Sequence, residues 1–113
     1  AEERKAPVIL QLYPRLVNEQ VGFYIAPVAL AAAQKAKIPV CLHLDHAAGK
    51  QEVYRALRWG YTGIMQDGSS LPFEENVAVT RRVVEYAHDH GVKVHLACNT
   101  IPHNEELPRL RLE

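Results

Sequence analysis

Short apolar runs alternate along this chain with stretches whose apolar residues recur every three or four positions. Residues 7–12 (PVILQL) form a β-branched, apolar run after a charged segment at residues 2–5, which reads as a buried strand following the tail of a helix. Tyr13-Pro14 ends it, because proline cannot donate to a sheet ladder. An alanine-rich stretch over residues 19–37 follows, with Pro27 inside it. Proline is tolerated only in a first helical turn, so the main helix is predicted over residues 27–36 with a less regular lead-in. Residues 38–45 (IPVCLHLD) read as a second strand. A helix is expected over residues 51–59, with Val53, Ala56 and Leu57 on one face and Gly60 as its stop. Residues 61–66 read as a third strand, closed by the turn composition Asp67-Gly68-Ser69-Ser70. The clearest helix spans residues 73–90, where Phe73, Val77, Thr80, Val84 and Ala87 make one stripe. Pro72, Glu74 and Glu75 suit its start, and His88, His90 and Gly91 its end. Residues 92–98 are a fourth strand, and residues 99–113 carry two prolines and no periodicity.

Strand–helix alternation with apolar strands means parallel pairing through right-handed crossovers. The fold class is α/β, with one domain over residues 1–98 and an irregular tail over 99–113.

Composition narrows the function. Thirteen basic residues balance thirteen acidic ones. No basic stripe follows a phosphate backbone, which argues against nucleic acid as a partner. A near-neutral surface also does little to resist self-association. The only cysteines, Cys41 and Cys98, lie in apolar runs and read as buried thiols of a reducing compartment. Neither a leader nor a membrane-length apolar run is present, so the expectation is a cytoplasmic protein without a membrane partner.

In parallel α/β folds the working residues gather at the carboxyl ends of the strands. Here the second strand ends His43-Leu44-Asp45-His46 and the third Gln66-Asp67-Gly68-Ser69. Alternation puts His43 and Asp45 on one face, and His46 just past the strand. A carboxylate between two imidazoles suits a metal site or a proton-transfer site. Capping chemistry also explains such clusters, and Asp67 before Gly-Ser is a common turn residue. His88 and His90 complement a helix dipole, His103 reads as solvated, and Trp59 and Phe73 read as core.

The string PVCLHLDH at residues 39–46, followed by WGYTGIMQDGSSLPFEENVAVTRRVVEYAH at residues 59–88, strongly resembles class II fructose-bisphosphate aldolases, a family that includes tagatose-bisphosphate aldolases. The opening AEERKAPVILQ fits the end of that family's first helix and its second strand. The resemblance implies that the four strands are the second to fifth of a (β/α)8 barrel. It implies that Asp45 is the general acid/base at the substrate hydroxyl and that His46 is a zinc ligand. Zinc in that family polarises the ketone and stabilises the enediolate of dihydroxyacetone phosphate. Asp67 and Ser69 would belong to the polar, substrate-binding network near the metal, and His43 would be supportive.

Two departures stand out. Where the family's fifth strand ends in an acidic pair, in a pattern like VEAELG, this chain has His95-Leu96-Ala97-Cys98-Asn99 after Val94. Ala47-Ala48-Gly49 replaces the usual glycine- and serine-rich start of the next segment. The sequence also ends before the family's remaining zinc-binding histidines and phosphate-binding loops. A catalytic zinc keeps three protein ligands, so the expectation is an incomplete site, with His43 and His95 as possible additional ligands. Four strands cannot close a barrel, and an apolar inner face is expected to drive homo-oligomer formation. A flavodoxin-like open sheet is the alternative rearrangement. Three functional readings follow: an aldolase segment acting on a ketose bisphosphate, a self-associating half-barrel scaffold, and a metal-binding module of His43, His46 and His95.

Overall fold

A computed structural model of the chain describes residues 1–97. A single turn of 3-10 helix, Glu2–Arg4, precedes strand β1 (Val8–Leu12). Helices α1 (Pro14–Asn18) and α2 (Gln20–Lys35) lead to β2 (Val40–Ala47). Then come α3 (Lys50–Arg58), β3 (Gly63–Asp67), α4 (Phe73–Asp89) and β4 (Lys93–Ala97). The four strands pair in parallel in the order β1-β2-β3-β4. This sequential order has no reversal point, so the sheet is wound like part of a barrel and the flavodoxin-like rearrangement does not occur. The expected tail over residues 99–113, with His103, lies outside the described residues, as does Cys98.

The helices bury one face of the sheet. Leu42 and Leu44 of β2 and Ile64 of β3 join Val53, Ala56 and Leu57 of α3 and Val83 and Ala87 of α4 in one core. Tyr54 of α3 packs against Tyr86 of α4, the tilted rings 4.1 Å apart. The opposite face carries Ile9, Gln11, Cys41, His43, Asp45, Met65, Lys93 and His95, by strand alternation and register. It is therefore mixed and strongly polar, where an apolar inner layer was expected.

Two helices depart from the sequence reading. Pro27 sits inside the 16-residue α2 and does not start a helix. Its side chain is exposed, so the carbonyl it leaves without a donor can bond water. Burial of Gly22 and Ala26, with Ala29 and Leu30 against the core, holds the lead-in helical. In α4 the buried face runs through Val79, Val83, Tyr86 and Ala87. Phe73 is 75% exposed, so it is not core. Phe73, Val77, Thr80 and Val84 instead line an open groove with Leu96 of β4. Two apolar stripes overlap on this helix, and only the sheet decides which is buried.

Candidate functional site

The carboxyl ends of β2 and β3 meet at a β-bulge. Leu44 pairs with Ile64 and Ala47 with Gln66, so β2 has one more residue than β3 in this interval. The extra residue is accommodated at His46, whose φ of 47° is left-handed, an uncommon state for a residue with a side chain. His46 thus lies within β2, not beyond it. The bulge returns Ala47 to the core while it turns His46 outward across the strand ends.

There His46 Nδ1 meets Asp67 Oδ2 at 2.7 Å. Asp67 Oδ1 accepts the backbone N–H of Ser69 at 2.9 Å. Hydrogen bonds from the Ser69 hydroxyl and from His46, together with that backbone N–H, pull the Asp67 carboxyl down to about 2. The same bond to Asp67 raises the His46 imidazole above its ordinary value. His46 Nε2 lies 3.8 Å from Asp45 Oδ1. Asp45 is half-buried, and among the described residues no group hydrogen-bonds its carboxylate.

Neighbouring helices fix this corner. Glu52, in the first turn of α3, accepts the N–H of Ala48 at 2.9 Å and the Asn18 side-chain amide at 2.6 Å. This pins the chain two residues after His46. On α4, Thr80 donates to Asn76 at 3.1 Å, bracing the helix that follows the Ser69 loop.

The structure therefore brings together Asp45, His46, Asp67 and Ser69. His43 shares a face of β2 with Asp45 and pairs with His95 at a ring separation of 5.3 Å. Burial, then the neighbouring His95, pushes the His43 imidazole down. Among the described residues there is no group of three or more His, Cys, Asp or Glu able to hold a metal ion. His43, His46 and His95 do not form one cluster. Sequence reasoning missed the bulge, because nothing in the string Asp45-His46-Ala47 marks an extra residue. It also missed Gln66 as a buried polar group on the helix side of β3, with both side-chain polar atoms unpartnered.

The model of the family "Fructose-bisphosphate aldolase class-II" matches residues 1–108. The chain belongs to that family. A probable fructose-bisphosphate aldolase of Bacillus subtilis (strain 168) is 42% identical over 109 residues, 94% of this chain and 38% of that protein. The fructose-bisphosphate aldolase of Staphylococcus aureus (strain COL) is 38% identical over the same shares. Among solved structures, the YdjI aldolase from Escherichia coli K12 superposes with a TM-score of 0.80 at 32% identity, over 87% of this chain and 37% of that one. A putative fructose-1,6-bisphosphate aldolase from Coccidioides immitis gives 0.78 at 31%, over 85% and 34%. The chain thus spans about two fifths of the length of the curated relatives it matches. Its four strands and helices superpose on about a third of each of these two aldolase structures. No helix among the described residues is long and apolar enough to cross a membrane.

Proposed function

We propose that this chain carries the general acid/base and one metal-ligand corner of a class II ketose-bisphosphate aldolase. That enzyme would cleave fructose 1,6-bisphosphate reversibly to dihydroxyacetone phosphate and glyceraldehyde 3-phosphate, and the chain alone would not. The observation that carries this reading is the line Asp67–His46 beside the open carboxylate of Asp45. A histidine whose Nδ1–H is held by a carboxylate is the usual arrangement of a metal-ligating imidazole. It leaves Nε2 as the lone-pair donor. Zinc suits this donor, and His46 would hold it; a bound zinc would supply Lewis-acid polarisation of the substrate ketone. One imidazole is a third of a catalytic zinc set. The other ligands would come from the rest of a completed barrel.

The chain's own residues have separable tasks. In cleavage, Asp45 takes the proton of the substrate hydroxyl as the adjacent carbon–carbon bond breaks and its electron pair moves into the ketone fragment. In condensation it returns that proton. Asp67 positions His46, and Asp67 and Ser69 together line the substrate side of the strand ends. A reducing cytoplasm suits the free thiol of Cys41.

A second reading, a self-associating half-barrel scaffold, draws on a different observation. β1 and β4 are edge strands of the sheet, and Phe23, Tyr24, Val28 and Phe73 are all exposed. A homo-oligomer would cover some of them, and sedimentation over a range of concentrations tests it.

The deciding experiment combines this chain with the remaining part of the Bacillus subtilis relative, in zinc, and assays fructose and tagatose bisphosphates. Cleavage is expected only in the combination. Asp45→Ala in this chain is expected to lower kcat by about 10²- to 10⁴-fold. Activity of the chain alone, or activity indifferent to Asp45→Ala, would sink the reading.

A further inference from the structure

The helix-free face of the sheet holds a second pair of imidazoles. His43 of β2 and His95 of β4 approach to 5.3 Å between ring centroids, at an interplanar angle of 46°, although β3 lies between their strands. The register shows how they reach each other. Gly63 of β3 stands opposite His43 on one side and opposite Lys93 on the other, two residues before His95. With no side chain at Gly63, the His43 ring can lie over β3. A Cβ at Gly63 would be 2.8 Å from His43 Cδ2, inside van der Waals contact.

His43 is only 6% exposed, yet neither of its ring nitrogens has a hydrogen-bond partner among the described residues. A buried polar group left unpaired carries an uncompensated desolvation cost, so such a group calls for an explanation. His95 is the exposed half of the pair.

We propose that His43 and His95 form a two-imidazole site for a late first-row divalent ion of the nickel, copper or zinc class. Such ions favour imidazole nitrogen. A metal about 2.0–2.1 Å from one nitrogen of each ring, at a tetrahedral angle, sets the two ring centroids about 5 Å apart. That is the separation observed. Burial and the neighbouring His95 push the His43 imidazole down, against Asp45, which raises it, and the neutral imidazole is the form that binds metal. Water or a small ligand completes the coordination. The site uses neither Asp45 nor His46, so it stands independently of the aldolase reading.

The test is calorimetric titration of the chelator-stripped chain with nickel(II), and copper(II) paramagnetic resonance, on the wild type and on the His95→Gln, His43→Gln and His46→Gln variants. One ion per chain is expected. His95→Gln and His43→Gln should each weaken binding by about tenfold or more, while His46→Gln leaves it unchanged. The copper spectrum should show coupling to two nitrogens in the wild type and to one in His95→Gln. His95 is exposed, so its substitution tests the site even where His43→Gln disturbs folding. Binding indifferent to His95→Gln, or lost in His46→Gln instead, overturns this site; the second result would still support a metal at His46.

Discussion

His46 Nδ1 and Asp67 Oδ2 stand 2.7 Å apart across the ends of two neighbouring strands, and the bond exists because a β-bulge gives His46 a left-handed backbone. The pair couples two titrations. The folded imidazole is raised above 6.5 and the folded carboxyl is lowered from 3.8 to about 2. The contribution of the pair to stability is therefore full between the two ordinary values. It fades as pH falls through about 2, and again as pH rises through the raised imidazole value. In chelator-stripped protein, Asp67→Asn should return the His46 titration toward the ordinary histidine value, read from its ring protons by NMR. An unchanged midpoint would mean that the bond does not set the charge of His46.

Gln66 is buried with both side-chain polar atoms unpartnered among the described residues. Replacing an unpaired polar group by an apolar one of similar shape removes a desolvation cost without opening a cavity. Gln66→Met should therefore stabilise the chain by about 1 kcal/mol, seen as a higher urea midpoint with an unchanged slope. A loss of stability would show that the amide has partners beyond the described residues.

Periodicity located the strands and helices because each element must hide one face, and burial follows that demand at Leu42, Leu44, Ile64 and Val53. Periodicity alone could not choose between the two stripes of α4, since Phe73 and Val77 are as apolar as Val79 and Val83. Nor could it keep Pro27 inside α2, where packing at Gly22 and Ala26 outweighs local preference. The strand-end position of Asp45, His46, Asp67 and Ser69 was legible from strand polarity and from the resemblance. The mutual geometry was not. It depends on one extra residue in β2, and the His43–His95 approach depends on a missing side chain at Gly63.

The two stripes of α4 give a direct comparison. Val83 is fully buried, whereas Phe73, the larger side chain, is 75% exposed. Val83→Ala should cost about 1.5–3 kcal/mol through lost burial and a residual cavity. Phe73→Ala should change stability by no more than about 0.5 kcal/mol. Equal losses in denaturant unfolding would mean that something covers Phe73, and the groove it lines with Leu96 would then be an interface.

Tyr61 supplies the last prediction. The residue is 2% exposed, and its hydroxyl has no hydrogen-bond partner among the described residues. Burial pushes the phenol from 10.0 up to about 12, because the ionised form would leave water for an apolar site. An alkaline absorbance titration should therefore contain a phenol that ionises near pH 12, and Tyr61→Phe should abolish that step. The unfolded phenol ionises at its ordinary value, so the folded chain should lose stability as pH rises from 10.0 toward 12. The Tyr61→Phe variant should lose less over the same interval. If both proteins weaken in parallel, the alkaline loss comes from other groups, and Tyr61 is better solvated than its burial implies.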